Sequence, residues 1–377
     1  MNSSAQQNQK VRIVVIFGGR SGEHAVSLES AKFVLSQLNP QKYEVTQVGI
    51  TRGGQWYTGP DTLNALAAED LSGLQRAVLL PFPEADGLYA LDADDRISLL
   101  TEVDVVFPVL HGTFGEDGTL QGLLEMGDLA YVGSGVTGSS VGMDKMIFFD
   151  LMRANDIPVV DTVLVLRTEL ERDAQAVLDR VEKLGPYPYF VKPANLGSSV
   201  GISKVKSRGD LLEGLLEAAA YDRRMIVQKG LNVREIEVSV MGNDAPQASV
   251  CGEVLPGEEF YSYDAKYHDE SSRTVIPADI PEETASQIRQ LAVKAYMACD
   301  LAGLARVDFF IDRDSSAVYL NELNTIPGFT QISMYPMLWQ ASGVGNQQLV
   351  DKLVGYALER KAQRDATTRV FKRNVQR

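Results

Sequence analysis

Two stretches of the chain, VRIVVIF (11–17) and VDVVFPVL (103–110), are nearly continuous runs of apolar and β-branched side chains. Runs of this kind predict strands buried on both faces, as in a parallel sheet. After the first comes GGRSGEHAV, with Ser27 reading as the N-cap of a helix over SLESAKFVLSQL, and then a strand at YEVTQVGI (43–50). Strand–helix–strand order favours parallel pairing with right-handed crossovers. Residues 60–100 are a less regular stretch of leucines, acids and glycines, and a helix is predicted at EDGTLQGLLEMG after the second run.

A second unit begins near residue 145. MIFFDLMRAND predicts a helix stopped by Pro158, VVDTVLVL (159–166) a strand, and ELERDAQAVLDRVEKLG one amphipathic helix. YFVKPANLGSSVGISKV (189–205) reads as strand, glycine-rich turn and strand, followed by a helix at 210–224 and the strand MIVQKGL (225–231). A third unit starts at REIEVSVMG, passes through a long polar loop at 256–280 and a helix at 282–300, and ends in the hairpin LARVDFFIDRDSSAVYLNELN. The pattern therefore predicts α/β and α+β units in sequence, with residues 1–10 and the basic stretch from Arg360 onward as flexible ends.

Composition narrows the class. The 377 residues exceed one ordinary domain, and 45% hydrophobic with 23% charged residues describes a globular protein with a sizeable core. A net charge of −14 disfavours nucleic acid as a partner. Two cysteines, Cys251 and Cys299, make neither a disulfide framework nor a metal cluster, which suits a reducing cytoplasm. The polar start MNSSAQQNQK lacks a signal peptide's apolar stretch, and no run approaches the ~18 apolar residues of a membrane span.

Several motifs could carry chemistry. GGRSG (18–22) lies between a buried strand and a helix N-terminus, where a phosphate or carboxylate site belongs, though a tight turn would also need these glycines. Glu23 at its mouth would repel phosphate and suit an ammonium group. GSGVTGSS (133–140) has serine where a P-loop needs lysine and reads as a structural turn. Lys192 precedes the glycine-rich NLGSSVG, whose backbone N–H groups could approach phosphate oxygens; a lysine beside a flexible hairpin is the plain alternative. Lys145 could equally be a surface lysine, and His111, at a strand C-terminus where α/β sheets bind ligands, a structural histidine. FYSYDAKYHDESS (260–272) is either a lid or an ordinary surface loop.

The terminal hairpin carries the strongest signal. Period-two alternation puts Arg306, Asp308 and Phe310 on one face, and antiparallel pairing would add Val318, Leu320, Glu322 and Asn324. That face would be apolar near the turn and polar at its open end. Two carboxylates and an amide suit Mg²⁺, unless they form an arginine–carboxylate surface network. The three histidines, His24, His111 and His268, are too dispersed for zinc.

With GGRSGEHAVSLES, LHGTFGEDGTLQG, GMDKM, VKPANLGSSVG, YDAKYH, ARVDFF and NELNTIPGFT in this order, the set resembles the D-alanine–D-alanine ligase family of the ATP-grasp superfamily across roughly residues 11–360. The resemblance implies a three-domain ATP-grasp architecture: an N-terminal parallel-sheet α/β domain at 11–144, a central domain at 145–233 and a C-terminal one at 234–360. It implies ATP and two D-alanines as substrates, two Mg²⁺ or Mn²⁺ ions on Asp308, Glu322 and Asn324, and a cytoplasmic homodimer serving peptidoglycan synthesis. Glu23 and His111 would meet the first D-alanine, and Lys266 and Ser333 the second. Lys145, Lys192, Ser199 and Lys266 would contact ATP phosphates; Gln228, Lys229 and Leu231 would contact adenine, and Glu235 the ribose. Gln228 stands where the family pattern has glutamate. Arg306 and the Gly328 N–H would stabilise the oxyanion, while Ser198 and Tyr267 orient the reacting groups.

The nearest rival is a D-alanine–D-lactate ligase. Tyr267 favours the dipeptide, because the resemblance associates phenylalanine or a remodelled loop with ester formation. A nicotinamide-dependent oxidoreductase would lack its GxGxxG, and an amino-acid-binding protein would not need Lys192, Asp308, Glu322 and Asn324 together.

Overall fold

The computed structural model describes residues 10–197, 200–255 and 273–368. Strands β1 (Val11–Gly18), β2 (Tyr43–Ile50), β3 (Trp56–Thr58), β4 (Gln75–Leu79), β5 (Gly87–Leu91), β6 (Ile97–Glu102) and β7 (Val105–Val109) form one sheet in the order β6-β5-β4-β3-β2-β1-β7. Only β1 with β2 and β1 with β7 pair in parallel; β2 through β6 form an antiparallel extension. The expected parallel sheet is thus its core, and the irregular stretch at 60–100 holds β4 to β6. These strands escape the pattern because they are short, and because β6 is almost wholly exposed along ISLLTE.

Alternation in β1 explains why it is buried on both sides. Ile13, Val15 and Phe17 enter one core cluster, while Val14 and Ile16 enter another on the opposite face. Helix α1 (His24–Gln37) begins at Glu23, ahead of the expected cap. Ser27 acts as a strut: its hydroxyl accepts from Gly18 N at 2.7 Å and donates to the Val109 carbonyl, tying the ends of β1 and β7 together. Gly18 has φ +89°, and a Cβ there would lie 2.2 Å from the Ile50 carbonyl oxygen, so the turn after β1 requires glycine. Helices α2 (Thr62–Ala67), α3 (Thr119–Met126) and α4 (Val136–Met143) complete this unit; of GSGVTGSS, expected as a turn, only Gly133–Gly135 precede the helix and the rest is its first part.

The second unit opens with α5 (Lys145–Ala154), followed by an antiparallel sheet of β8 (Thr162–Leu166), β9 (Tyr189–Pro193), β10 (Ser203–Val205) and β11 (Arg224–Lys229) in the order β10-β9-β11-β8. The single amphipathic helix expected here is two, α6 (Arg167–Arg172) and α7 (Ala174–Val181). Asp173 between them caps the Ala176 N–H and so starts a new helix. Helix α8 (Arg208–Tyr221) packs Leu211 and Leu215 against Val191 and Val227 of the sheet.

The third sheet runs β14-β13-β12-β15-β16, all antiparallel: β12 (Val233–Gly242), β13 (Gln247–Leu255), β14 (Arg273–Val275), β15 (Gly303–Asp312) and β16 (Val318–Asn324). β14 replaces part of the loop expected at 256–280. Helix α9 (Glu282–Ala298) covers one face, sharing a core with Phe148 and Phe149 of α5. Helices α10 (Met334–Ala341) and α11 (Asn346–Asp365) carry the chain back to the first sheet. There Leu349, Leu353 and Val354 pack with Ile13, Val15 and Phe107. Residues 361–365, expected to be frayed, are helical and anchored, with Lys361 and Arg364 paired to Asp128 and Glu125.

The hairpin departs from simple alternation. Arg306 faces Asn324 and Asp308 faces Glu322, but the next pair is Phe309 with Leu320, so Asn321 is an extra residue in β16. This bulge turns Val318 and Leu320 away from Asp308 and into the core with Phe309 and Ile311. The apolar half of the expected site face therefore belongs to the opposite side. Truncating Leu320 to alanine is expected to cost about 2–5 kcal/mol of stability, read from the shift of the denaturation midpoint. A cost well under 1 kcal/mol would return Leu320 to the open face.

Candidate active site

Three neighbouring strands concentrate charge on one face of the third sheet. Register places Glu235 and Glu237 of β12, Arg306 and Asp308 of β15, and Glu322 and Asn324 of β16 on that side. Arg306 is 8% exposed and donates to both Asp308 oxygens at 2.7 Å from Nε and Nη2, while Nε also lies 3.0 Å from Glu237 Oε2. Burial opposes its charge, but the fields of Asp308 and Glu237 outweigh it and hold the guanidinium protonated. Asn324 Nδ2 donates to Asp308 Oδ2 at 3.0 Å. Sequence reading missed Glu237, although alternation along REIEVSVMG puts it on the same face as Glu235.

A cavity of about 740 Å³ opens in front of this face. Glu23, His111, Lys145, Arg306, Glu322, Asn324, Gly328 and Ser333 all line it, bringing together residues up to 310 positions apart, from Glu23 to Ser333. Glu23 sits at the N-terminus of α1, pressed against two glycines: a Cβ on Gly112 would come within 2.6 Å of its Oε2, and one on Gly197 within 3.1 Å. Gly112 also has φ +74°, so a side chain there is excluded twice. Ser333 precedes α10, and its Oγ accepts from Thr330 N at 2.9 Å.

A second set of polar groups lies on the second sheet. Lys192 Nζ donates to Gln228 Oε1 at 2.9 Å across paired strands β9 and β11. Burial lowers the Lys192 pKa to about 8, against the fields of Glu322 and Glu235 and helped by Lys145. Gln228 Nε2 is buried without a hydrogen-bond partner. Lys145 Nζ donates to the Leu196 carbonyl at 2.8 Å, pinning the start of the glycine-rich turn. The Lys229 N–H is taken by the Asp161 carbonyl at 3.0 Å. Ser198, Ser199, Lys266 and Tyr267 lie outside the described residues.

His111 is held from two sides. It borders the cavity, but Nδ1 lies 2.8 Å from the Ile326 carbonyl and Nε2 lies 2.9 Å from Ser30 Oγ, so the protein uses both ring nitrogens. Burial lowers its pKa and keeps it neutral. Five residues on, Glu116 accepts from Gly112 N at 2.9 Å and Ile326 N at 3.1 Å, and burial together with Glu23 raises its pKa to about 8. Glu116 lay unremarked inside HGTFGEDG.

Among the described residues, no three His, Cys, Asp or Glu side chains gather for a metal. At this face Asp308, Glu322 and Asn324 offer two carboxylates and an amide, beside the carboxylates of Glu235 and Glu237. No helix among the described residues is long and apolar enough to cross a membrane.

Comparison with known proteins bears on this geometry. The family described as D-ala D-ala ligase N-terminus matches residues 12–134, and D-ala D-ala ligase C-terminus matches 151–355. The chain is 47% identical over 363 residues to a D-alanine–D-alanine ligase of Heliobacterium modesticaldum, covering 96% of this chain and 99% of that one. It is 45% identical over 366 residues to the Acetivibrio thermocellus ligase, covering 93% and 96% respectively. Among solved structures, the Coxiella burnetii D-alanine–D-alanine ligase superposes with a TM-score of 0.80 at 36% identity, covering 94% of this chain and 97% of that one. The VanG D-Ala:D-Ser ligase of Enterococcus faecalis does so at 0.83 and 36%, covering 93% and 100%. With both family halves matched in order and the ATP-grasp fold in place, the chain belongs to the D-alanine–D-alanine ligase family.

Proposed function

We propose that the chain joins two D-alanines at the expense of ATP, supplying D-alanyl-D-alanine for the cell wall. It is a peptide-bond-forming ligase that uses ATP and a divalent metal. The observation that carries the reading is one cavity lined by Glu23, a carboxylate for an ammonium group, and by Lys145, Arg306, Glu322 and Asn324. The carboxylate of the first D-alanine attacks the γ-phosphorus of ATP, giving a D-alanyl phosphate and ADP. The amine of the second, having shed its proton, attacks the acyl carbon, and the tetrahedral adduct collapses with loss of phosphate.

Glu23 holds the ammonium of the first D-alanine. Arg306 and the Gly328 N–H face the oxygen that turns negative in the tetrahedral adduct; donors fixed beforehand lower that barrier because they need not reorganise. Ser333 and Lys266 take the carboxylate of the second D-alanine, and Ser198 and Tyr267 orient the reacting groups. Lys145, Lys192, Ser199 and Lys266 meet the phosphates, and Glu235 the ribose. Lys192 holds the Gln228 Oε1 and leaves Nε2 as the end that would donate to a base with a ring acceptor. Lys229 and Leu231 complete the adenine edge. Asp308, Glu322 and Asn324 would hold Mg²⁺ or Mn²⁺, expected as two ions, which neutralise phosphate charge when bound.

Excluding water matters, because an acyl phosphate otherwise hydrolyses. The test of the function is phosphate release from Mg²⁺-ATP with D-alanine, the product identified by mass. D-serine, D-lactate and L-alanine run beside it. Phosphate matched by D-alanyl-D-alanine is expected, and a mixed product in preference to the dipeptide would move the chain to a sister specificity.

Asp308→Asn should raise the Mg²⁺ concentration for half-maximal turnover by about tenfold or more, with circular dichroism unchanged; an unshifted Mg²⁺ curve removes Asp308 from the metal site. Lys192 gives a pH prediction. Its lowered pKa means the ammonium is present below about pH 8 and lost as pH rises through that value in the free enzyme. kcat/KM for ATP should therefore fall above about pH 8, earlier than kcat at saturating ATP. A profile that stays level into the ordinary lysine range would take Lys192 off the phosphates.

A further inference from the structure

The segment after the metal-binding strand passes through the cavity wall as Thr325-Ile326-Pro327-Gly328-Phe329. On either side of Gly328 the backbone is held by the N-terminal unit. Ile326 is gripped at both polar atoms, its N–H by Glu116 Oε2 at 3.1 Å and its carbonyl by His111 Nδ1 at 2.8 Å. The Phe329 N–H donates to Ser30 Oγ at 3.1 Å. Thr325 Oγ1 adds a bond to the Glu116 carbonyl at 3.3 Å. Between these fixed points the Gly328 N–H has no acceptor among the described residues, and Gly328 lines the cavity.

The donors and acceptors form one consistent chain. A ring nitrogen facing a carbonyl must carry the proton, so His111 is protonated at Nδ1 and accepts at Nε2. The Ser30 hydroxyl then donates to Nε2, 2.9 Å away, and its lone pair accepts from Phe329 N. Ser30 is fully buried, so each of these partners would be stranded without it. Ser30 does not line the cavity, whereas Glu116 and His111 border it.

We infer that Ser30, His111 and Glu116 form a clamp by which the N-terminal unit holds the Ile326–Phe329 backbone, setting where the Gly328 amide points. All three are positioning residues. The assignment deepens the proposed chemistry and rests on the reading of Gly328 as an oxyanion donor. A donor displaced by about 1 Å can cost about 10²-fold in rate, because such a contact acts on the transition state and not on substrate binding.

The test uses the full-length enzyme with Ser30→Ala and, separately, His111→Gln, each checked for an intact thermal transition. Hydrogen exchange is followed at the Ile326 and Phe329 amides, and kcat and KM are measured for ATP and D-alanine. Ser30→Ala should speed exchange at Phe329 and lower kcat about 10- to 100-fold, with both KM values within about twofold. His111→Gln should loosen the same segment from the Ile326 side with the same kinetic split. Unchanged exchange at Phe329 in Ser30→Ala overturns the clamp itself. Faster exchange with unaltered kcat overturns its catalytic consequence and the Gly328 reading beneath it. KM rising in step with the loss of kcat/KM would make the three residues part of the substrate-binding surface instead.

Discussion

A guanidinium cut off from water must be surrounded by carboxylates, and the site is built around Arg306 meeting that condition. An unpaired buried charge costs several kcal/mol, so Asp308 and Glu237 have to stand where they do. Asp308 comes from the same strand two residues on, and Glu237 from the adjacent β12 in register. That pairing puts the charged side chains on one face of the sheet. Glu322 and Asn324 join the same face because β16 keeps register up to Asp308 and breaks it immediately afterward. The bulge at Asn321 separates a polar site half from an apolar core half within one strand.

The N-terminal unit contributes little charge and much geometry. Its parallel strands end at turns that only glycine allows, which bring Glu23 into the cavity and His111 against the Ile326 loop. Because α11 returns to pack on the same sheet, the first and third units share a core, and movement of one is felt by the other. Substrate-facing groups from distant parts of the chain can then be held to the tolerance that a developing oxyanion requires.

Burial raises the cost of a charge on Lys192, and the neighbouring charge of Lys145 adds to it. Such a buried ammonium is suited to a polyanion, whose charge offsets that cost. Gln228 adds an orphan amide donor beside them. Where the family pattern has a carboxylate with two acceptors, this chain presents one acceptor, already used by Lys192, and one donor.

Local pattern carried much of this protein by itself. Unbroken β-branched runs identified β1 and β7, and period-two spacing put Arg306 with Asp308, and Glu322 with Asn324, since strand geometry is a property of the backbone. Ordered motifs identified the family. Short strands β3 to β6 were illegible because each is only three to six residues long and β6 is almost wholly exposed. The break at Asp173 hid inside a helical pattern, as a cap is one hydrogen bond that periodicity does not register. Tertiary structure alone decided that Val318 and Leu320 face the core, because a bulge changes register without changing composition. It alone decided that His111, Ser30 and Glu116 hold a backbone segment more than 200 residues away in the case of His111 and Ile326, since a hydrogen bond's partner depends on which surfaces meet after the chain has folded.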